Sequence, residues 1–384
     1  MEDSIDESKA TVHEQLTLEL NADVAEWCPL PSPHRRLIAA GTYQLNETTQ
    51  QREGRLYIYK LDGEIKKNAQ LSLHNVTTYD LPGIFDLKWL PENFSSNEQP
   101  TIATALADGS LTLLSLTNTD QDKQEIVEIS RIESPEGGMA LSLDYYKSNS
   151  QATPTTGSSD TENLDELLLS SYSDGTVASH QITPAGTTTL HNWKAHDLEA
   201  WTCSFDSWNP YIAYSGGDDC VFKAWDLRCS SSTASPSQQW LDRKSHSAGV
   251  CCIVSSPFQQ NIVVTGSYDE KARVWDVRQG ATRPVAVAEV GAGGGVWRLK
   301  WHPTDPNLLL GACMHGGFTI LHADGAQGSI HVVERYPHQQ TLAYGSGWCS
   351  EVGDDGTSVA ATASFYDRLL HVWSPETVAT VSTV

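Results

Sequence analysis

Apolar residues along this chain alternate with polar ones in short runs, and the runs stop at compact clusters of glycine, serine and aspartate. Three segments carry the pattern most clearly: SGGDDCVFKAWDLR (215–228), TGSYDEKARVWDVR (265–278) and TASFYDRLLHVWSP (362–375). Each has small residues, then an Asp, then an aromatic six positions on, pairing Asp219 with Trp225, Asp269 with Trp275 and Asp367 with Trp373. A period of two on both sides of a tight turn predicts strand, turn, strand, and the Asp suits the turn because its carboxylate accepts turn N–H bonds. The same template finds weaker copies at Glu53 with Tyr59, Asp108 with Leu114, Asp174 with His180 and His315 with Leu321. The turn positions are therefore 53, 108, 174, 219, 269, 315 and 367.

An inner strand is expected upstream of each turn, as in VAEWCP (24–29), FDLKWLP (85–91), ALSLDYY (140–146), WTCSFD (201–206), CCIVSSP (251–257), WRLKWHP (297–303) and GSGWCS (345–350). Repeats of this size, each a small antiparallel sheet, predict an all-β chain folded as a seven-bladed WD40-type β-propeller. The last turn lies too near the C-terminus for a full outer strand. The segment TVHEQLTLEL (11–20) is expected to supply that strand and close the ring, which removes open sheet edges. Residues 11–384 then form a single propeller after an acidic, flexible stretch at 1–10, with polar loop insertions near 148–163 and 229–238.

Charge narrows the range of partners. A formal net charge of −23 at pH 7 argues against nucleic-acid binding, which needs a basic footprint. No apolar run is long enough to span a membrane, and the acidic N-terminus does not read as a secretory signal. The eight cysteines show no C-x-x-C pair, so they are expected to be reduced in a cytoplasmic, monomeric protein.

The familiar catalytic signatures are missing: there is no G-x-S-x-G elbow, P-loop, H-E-x-x-H or dinucleotide fingerprint. Neither a cofactor nor a metal is expected, and Cys313-Met314-His315 is too short a cluster to hold an ion. His196 and His246 stand just before inner strands and are expected to bind the turn Asp219 and Asp269 together with Trp225 and Trp275, a structural role. Gly293-Gly294-Gly295 is expected to let the chain turn tightly into an inner strand.

Departures from the repeat say more about function. The turn position is acidic in six copies and histidine in one, His315. At one register position of the inner strands stand Asp23, Phe85, Leu141, Trp201, Cys251, Trp297 and Tyr344; the next position offers Asp86 and Arg298. Tyr268 and Tyr366 precede the turn acids. All of these are expected on one propeller face, so His315, Arg298, Trp297, Tyr344, Trp201 and Asp23 could converge at the channel mouth. His315 could then act as a general base toward water, and Arg298 could hold a carboxylate or polarise a carbonyl. The alternative is that His315 only replaces a turn acid and the aromatics pack between blades.

VWRLKWHP (296–303), ACMHGGFTIL (312–321), LAYGSGWCS (342–350) and ATASFYDRLLHVW (361–373) resemble the WD-repeat diphthine methyl ester hydrolase family of diphthamide biosynthesis. The likeness is densest over about 190–375 and reaches the first blade through VAEWCP. It implies a protein substrate, methylated diphthine on a histidine of translation elongation factor 2. It also implies cleavage of one methyl ester, ahead of amidation by a separate enzyme. A quaternary ammonium group would suit an aromatic cage of Trp201, Trp297 and Tyr344, with Asp23 and Tyr366 as further substrate contacts. The competing reading is a non-catalytic WD-repeat scaffold, with the same residues as a docking surface.

Overall fold

In the computed structural model, residues 10–91, 99–119, 123–134, 136–146, 167–183, 186–228, 235–278, 284–336 and 341–376 are described. Seven antiparallel sheets form the blades of a propeller, and no helix occurs among the described residues. No helix is long and apolar enough to cross a membrane. Each blade runs from an inner strand at the central channel outward: Ala22–Trp27, Ile84–Trp89, Ala140–Tyr145, Thr202–Asp206, Val250–Ser255, Arg298–Trp301 and Ala343–Trp348 open blades one to seven. The ring closes as expected, because Thr11–Thr17 pairs antiparallel with Leu369–Ser374 and becomes the outer strand of blade seven. His13 pins this closure through Nε2 to Ser374 Oγ at 2.9 Å.

The core is divided among the blades. Trp89, Trp275, Trp373, Tyr172, Tyr214 and Phe222 are among the largest fully buried side chains. Successive inner strands pack face to face, so the repeat of apolar positions becomes a ring of interblade clusters. Six of the seven named turn positions lie in turns, but Glu53 does not. It sits inside the strand Arg52–Asp62, paired with Gln44 and Pro82, and the turn falls at residues 46–51. There Asn46 Oδ1 accepts the amides of Thr48 and Thr49, doing locally what Asp does in other blades.

The structural histidines follow the pattern with one change. His196 binds Asp219 Oδ1 through Nδ1 at 2.9 Å and Ser215 Oγ through Nε2 at 2.8 Å, and Trp225 Nε1 donates to the same Ser215. In blade five His246 and Trp275 likewise share Thr265 Oγ1. The expected bond from His246 to Asp269 is not made, because Arg273 takes that carboxylate at 2.8 Å. A guanidinium outcompetes an imidazole for a buried carboxylate. The flexible stretch expected at 1–10 lies outside the described residues except for Ala10, as does the insertion at 148–163. Of the insertion at 229–238, the last two residues begin the strand Ser237–Asp242.

Candidate active site

A backbone irregularity builds the channel mouth. Five inner strands carry a bulge near their start, and the residues stepped over are Asp23, Phe85, Leu141, Cys251 and Tyr344. In blades four and six the corresponding Trp201 and Trp297 stand immediately before the strand. A bulge re-aims a side chain and frees it from the pleat, so this ring of residues can point into the mouth while the strands below stay paired.

The aromatic members meet. Trp297 packs against Trp201 at 5.6 Å between ring centroids, against Tyr344 at 5.0 Å and against Tyr268 at 5.8 Å. Tyr344 continues to Phe365 at 5.0 Å, and Phe365 touches both Tyr366 and Tyr43. Each such pair contributes roughly 0.5–1.5 kcal/mol beyond its buried area. The rings form a collar from the half-buried Trp201 to Tyr366, which is 64% exposed. Trp201 is fixed by its Nε1 donating to Asp218 Oδ1 at 3.0 Å.

Beneath the collar lies a layer of charge. Arg298 donates through Nη1 to Asp86 Oδ1 at 2.6 Å and through Nη2 to the Phe85 carbonyl. Asp23 Oδ1 is 3.8 Å from Arg298 Nη2, too far for a hydrogen bond, and it accepts none. Arg298 Nε is also buried without a partner. The two carboxylates are driven apart. Burial pushes Asp23 up to about 7, and the Asp86 charge adds to this while Arg298 opposes it. Burial would raise Asp86 as well, but Arg298, Lys88 and Lys300 surround it and hold it well below the usual carboxylate range. Asp86 also accepts the Leu143 amide at 2.9 Å, which ties blade two to blade three.

The charge continues down the channel. Lys88 lies 3.0 Å from Asp86 and 3.3 Å from Glu26, and Glu26 also holds Lys300. The sequence Lys300, Glu26, Lys88, Asp86, Arg298, Asp23 thus alternates in sign across blades six, one and two. Blades three to five face it with small neutral residues such as Ser142, Thr202, Ser204 and Cys252, and with the carboxyl groups of Asp144 and Asp206. A cavity of about 710 Å³ occupies this space. It runs from Trp201, Trp297, Asp86 and Arg298 to residues at or beyond the far ends of the inner strands, among them Pro29, Tyr146, Ser207, Phe258, Thr304 and Ser350. Its wide mouth is therefore on the face opposite the collar, and Asp23, Tyr344 and Tyr366 are not among its lining residues.

Of the residues expected at the site, Asp23, Arg298, Trp201, Trp297 and Tyr344 come together, and Tyr366 joins at the rim through Phe365. His315 lies exposed on its turn, with no hydrogen bond, ion pair or ring contact to any of them. The preceding Met314 holds the turn to blade seven through paired backbone bonds with Ala343 at 3.1 Å. Gly294 explains the triple glycine: a Cβ there would lie 2.2 Å from the Cys313 carbonyl oxygen, so the loop owes its close approach to this turn to the missing side chain. The residues not singled out from the sequence are Glu26, Lys88, Asp144 and Lys300. Their signal was the period of two from Val24, Asp86, Ser142 and Arg298, and the shared KW of FDLKWLP and WRLKWHP.

Comparison with known proteins agrees with the fold and narrows the family. The family model described as "WD domain, G-beta repeat" matches residues 187–226 and 237–276. The chain is 35% identical to a protein of Mus musculus named "Diphthine methyltransferase", over 86% of this chain and 68% of that protein. The human protein of that name is also 35% identical, over 86% of this chain and 73% of its own length. The "Diphthine methyltransferase homolog" of Dictyostelium discoideum is 29% identical, over 93% and 97%. Among solved structures, a chain of the "Crystal Structure of Mitotic Checkpoint Complex" superposes with a TM-score of 0.65 at 16% identity, covering 97% of this chain and 94% of that one. That likeness concerns the fold alone.

Proposed function

The chain belongs to the diphthine methyltransferase family, and from that premise we propose that it hydrolyses the methyl ester of methylated diphthine on translation elongation factor 2, leaving diphthine and methanol. The relatives' name describes a methyl transfer involving diphthine; hydrolysis differs in making water the acceptor. The observation that carries it is Asp23, a buried acid held up to about 7 with a free Oδ1, beside an arginine whose Nε is also free. Methylating a carboxylate needs no base, whereas hydrolysing an ester needs one to activate water. A carboxyl poised near neutrality supplies that base, and its low-lying neighbour Asp86 keeps Arg298 in place.

Asp23 takes a proton from water, and the oxygen adds to the ester carbonyl. The oxyanion that forms is met by the Arg298 guanidinium. The bond from carbon to methoxy oxygen then breaks, the methoxy oxygen takes the proton from Asp23, and methanol leaves. The second acid proton, from the new carboxylic acid, passes to solvent. This assigns the base to Asp23 rather than to the exposed His315, and leaves His315 as a rim residue. The collar of Trp201, Trp297, Tyr344 and Tyr366 shields the site from bulk water. No cofactor, metal or nucleic acid enters this scheme, and the protein is taken to act as a cytoplasmic monomer.

The test is direct. Purified protein is incubated with elongation factor 2 carrying the methylated intermediate, and the intact mass is followed. The expected result is loss of one CH2 unit in mass together with stoichiometric methanol. No change in mass with saturating protein sinks the reading.

A further inference from the structure

Ester hydrolysis at Asp23 and Arg298 leaves Asp144 without a task. It sits on the inner strand of blade three, half-buried in the cavity wall below Trp201. Asp86, Arg298, Lys88, Glu26 and Lys300 each have an opposite charge within 4 Å. Asp144 forms no ion pair among the described residues. Its carboxylate is nonetheless fixed in direction, accepting Ser204 Oγ at 3.0 Å and the Phe205 amide at 2.8 Å. Burial pushes its carboxyl up, with Lys88 and these hydrogen bonds opposing. Lys88 and Lys300 act on it only from beyond ion-pair distance, so a buried carboxylate facing an open cavity is further stabilised by a cation that the cavity admits into contact with it.

The shape of the channel says how such a cation would arrive. At the collar end the rings are in contact, and Asp23, Phe85 and Tyr344 stay out of the cavity, while Leu141, Cys251, Trp201 and Trp297 close its inner end. At the strand-end face the cavity opens past Pro29, Phe258 and Thr304 and reaches inward to Arg298. About 710 Å³ is within the range of a small-ligand pocket and holds one long side chain rather than a peptide segment.

We propose that Asp144 is the counter-ion for a positively charged group on a long side chain of a protein partner, and that this side chain reaches into the channel through the strand-end mouth, not through the collar. Naming that side chain as methylated diphthine, with its trimethylammonium group against Asp144 and its ester toward Arg298, rests on the ester-hydrolase reading. The charge and the mouth do not.

Two small esters separate these claims: trimethylglycine methyl ester, which carries the fixed cation, and methyl 3,3-dimethylbutanoate, its neutral isostere. Their binding is followed by ligand-observed NMR on the wild-type protein and on Asp144→Asn, whose amide oxygen still accepts the Phe205 amide. The wild type is expected to favour the cation by about tenfold, and Asp144→Asn to lose that preference. A preference that survives in Asp144→Asn overturns the proposal. Asp144→Ser repeats the measurement if the amide variant does not fold, read by the same criterion. For the mouth, Thr304→Trp on the rim is expected to cut turnover of the protein substrate about tenfold; unchanged turnover overturns the strand-end route. If the preference depends on Asp144 but the protein substrate never loses its methyl group, the hydrolase reading fails and the cation site stands.

Discussion

Blade four and the channel each bring a buried carboxylate to a cationic or titratable partner, and they do so for different reasons. In blade four, His196, Asp219, Ser215 and Trp225 form a chain of side chains that resembles a catalytic triad. Blade five repeats half of it with His246, Thr265 and Trp275, and blade seven repeats its last link in Trp373 and Thr362. An arrangement that recurs wherever a blade must be tied together is explained by the blade. In the channel, Asp23, Asp86 and Arg298 occur once, from blades one, two and six, and no neighbouring blade supplies a copy. The polar groups differ as well. Both ring nitrogens of His196 are bonded, whereas Asp23 Oδ1 and Arg298 Nε have no partner. Satisfied and repeated polar groups hold the fold; single and unsatisfied ones are where chemistry is expected.

The largest break of this comparison is Arg298→Ala. It takes one of two charge partners from the buried Asp86 carboxylate, leaving Lys88 at 3.0 Å, and removes the oxyanion donor at once. Stability is expected to fall by about 1.5–3 kcal/mol in urea denaturation. Turnover of the methylated protein is expected to fall by roughly a hundred- to a thousandfold. Arg298→Lys separates the two effects, since it keeps a charge near Asp86 but cannot span Asp86 and the Phe85 carbonyl together. Full turnover in Arg298→Ala at a temperature where it is folded would remove the arginine from the mechanism.

Asp23→Asn comes next, and here activity and stability are expected to move in opposite directions. Turnover should drop by about a hundredfold or more, because the base is gone. In the wild type, kcat/KM should rise with pH through about 7 and level off above it. The folded value of Asp23 is raised above that of the unfolded chain, so its contribution to stability is full below the ordinary carboxylate value and is lost as pH rises through about 7. A shift from 3.8 to about 7 corresponds to on the order of 4 kcal/mol. Asp23→Asn is therefore expected to be more stable than the wild type at pH 8 and to lose that part of the pH slope. Equal stability of the two at pH 8 would show that Asp23 is not held against its ionisation.

These two variants also show how far the sequence was legible. The turn acids and the aromatics six residues on announced the blades, and the short C-terminal remainder announced the strand at 11–17 that closes the ring. The collar was legible because one register position carried Trp201, Trp297 and Tyr344 in place of small residues. Glu53 misled because a carboxylate at the right spacing reads the same in a turn as on an edge, and only Asn46 shows where the chain reverses. His315 drew attention as the exception among the turn residues, but an exception in a list does not fix where a side chain points. The pairing of Asp86 with Arg298 joins residues 212 positions apart across the channel, and no local pattern encodes which blades face each other there.

His196→Ala tests the other side of the comparison. The loss of both bonds is expected to cost about 1–3 kcal/mol, with Ser215 and Asp219 left short of a partner, and to leave kcat/KM unchanged where the protein is folded. Other buried histidines set an acid limit with the opposite sign to Asp23. Burial holds His180, His246 and His302 down at about 4. They are neutral in the fold and charge readily once it opens, so stability is full above the ordinary histidine value and is lost as pH falls toward 4. Urea midpoints across pH 4 to 8 should thus show His-dependent loss on the acid side and Asp23-dependent loss on the alkaline side.

The smallest expected effect decides the most about the two ends of the channel. If the collar is a closed end, its exposed rim can be trimmed without penalty to the reaction. Tyr366→Ala and His315→Ala are each expected to change kcat/KM by less than about threefold and stability by less than about 0.5 kcal/mol, since Tyr366 touches Phe365 alone among the collar rings and His315 touches none. A hundredfold loss in His315→Ala, with the melting temperature unchanged, would return the base to the turn of blade six. That result would also reverse the channel, because a base on that turn must meet the ester from the collar side. The strand-end cavity would then be no more than the unfilled axis of a ring of seven blades. A small effect leaves Asp23 as the one ionisable group among the described residues that is buried, free of hydrogen bonds on one oxygen, and tuned near neutrality beneath the collar.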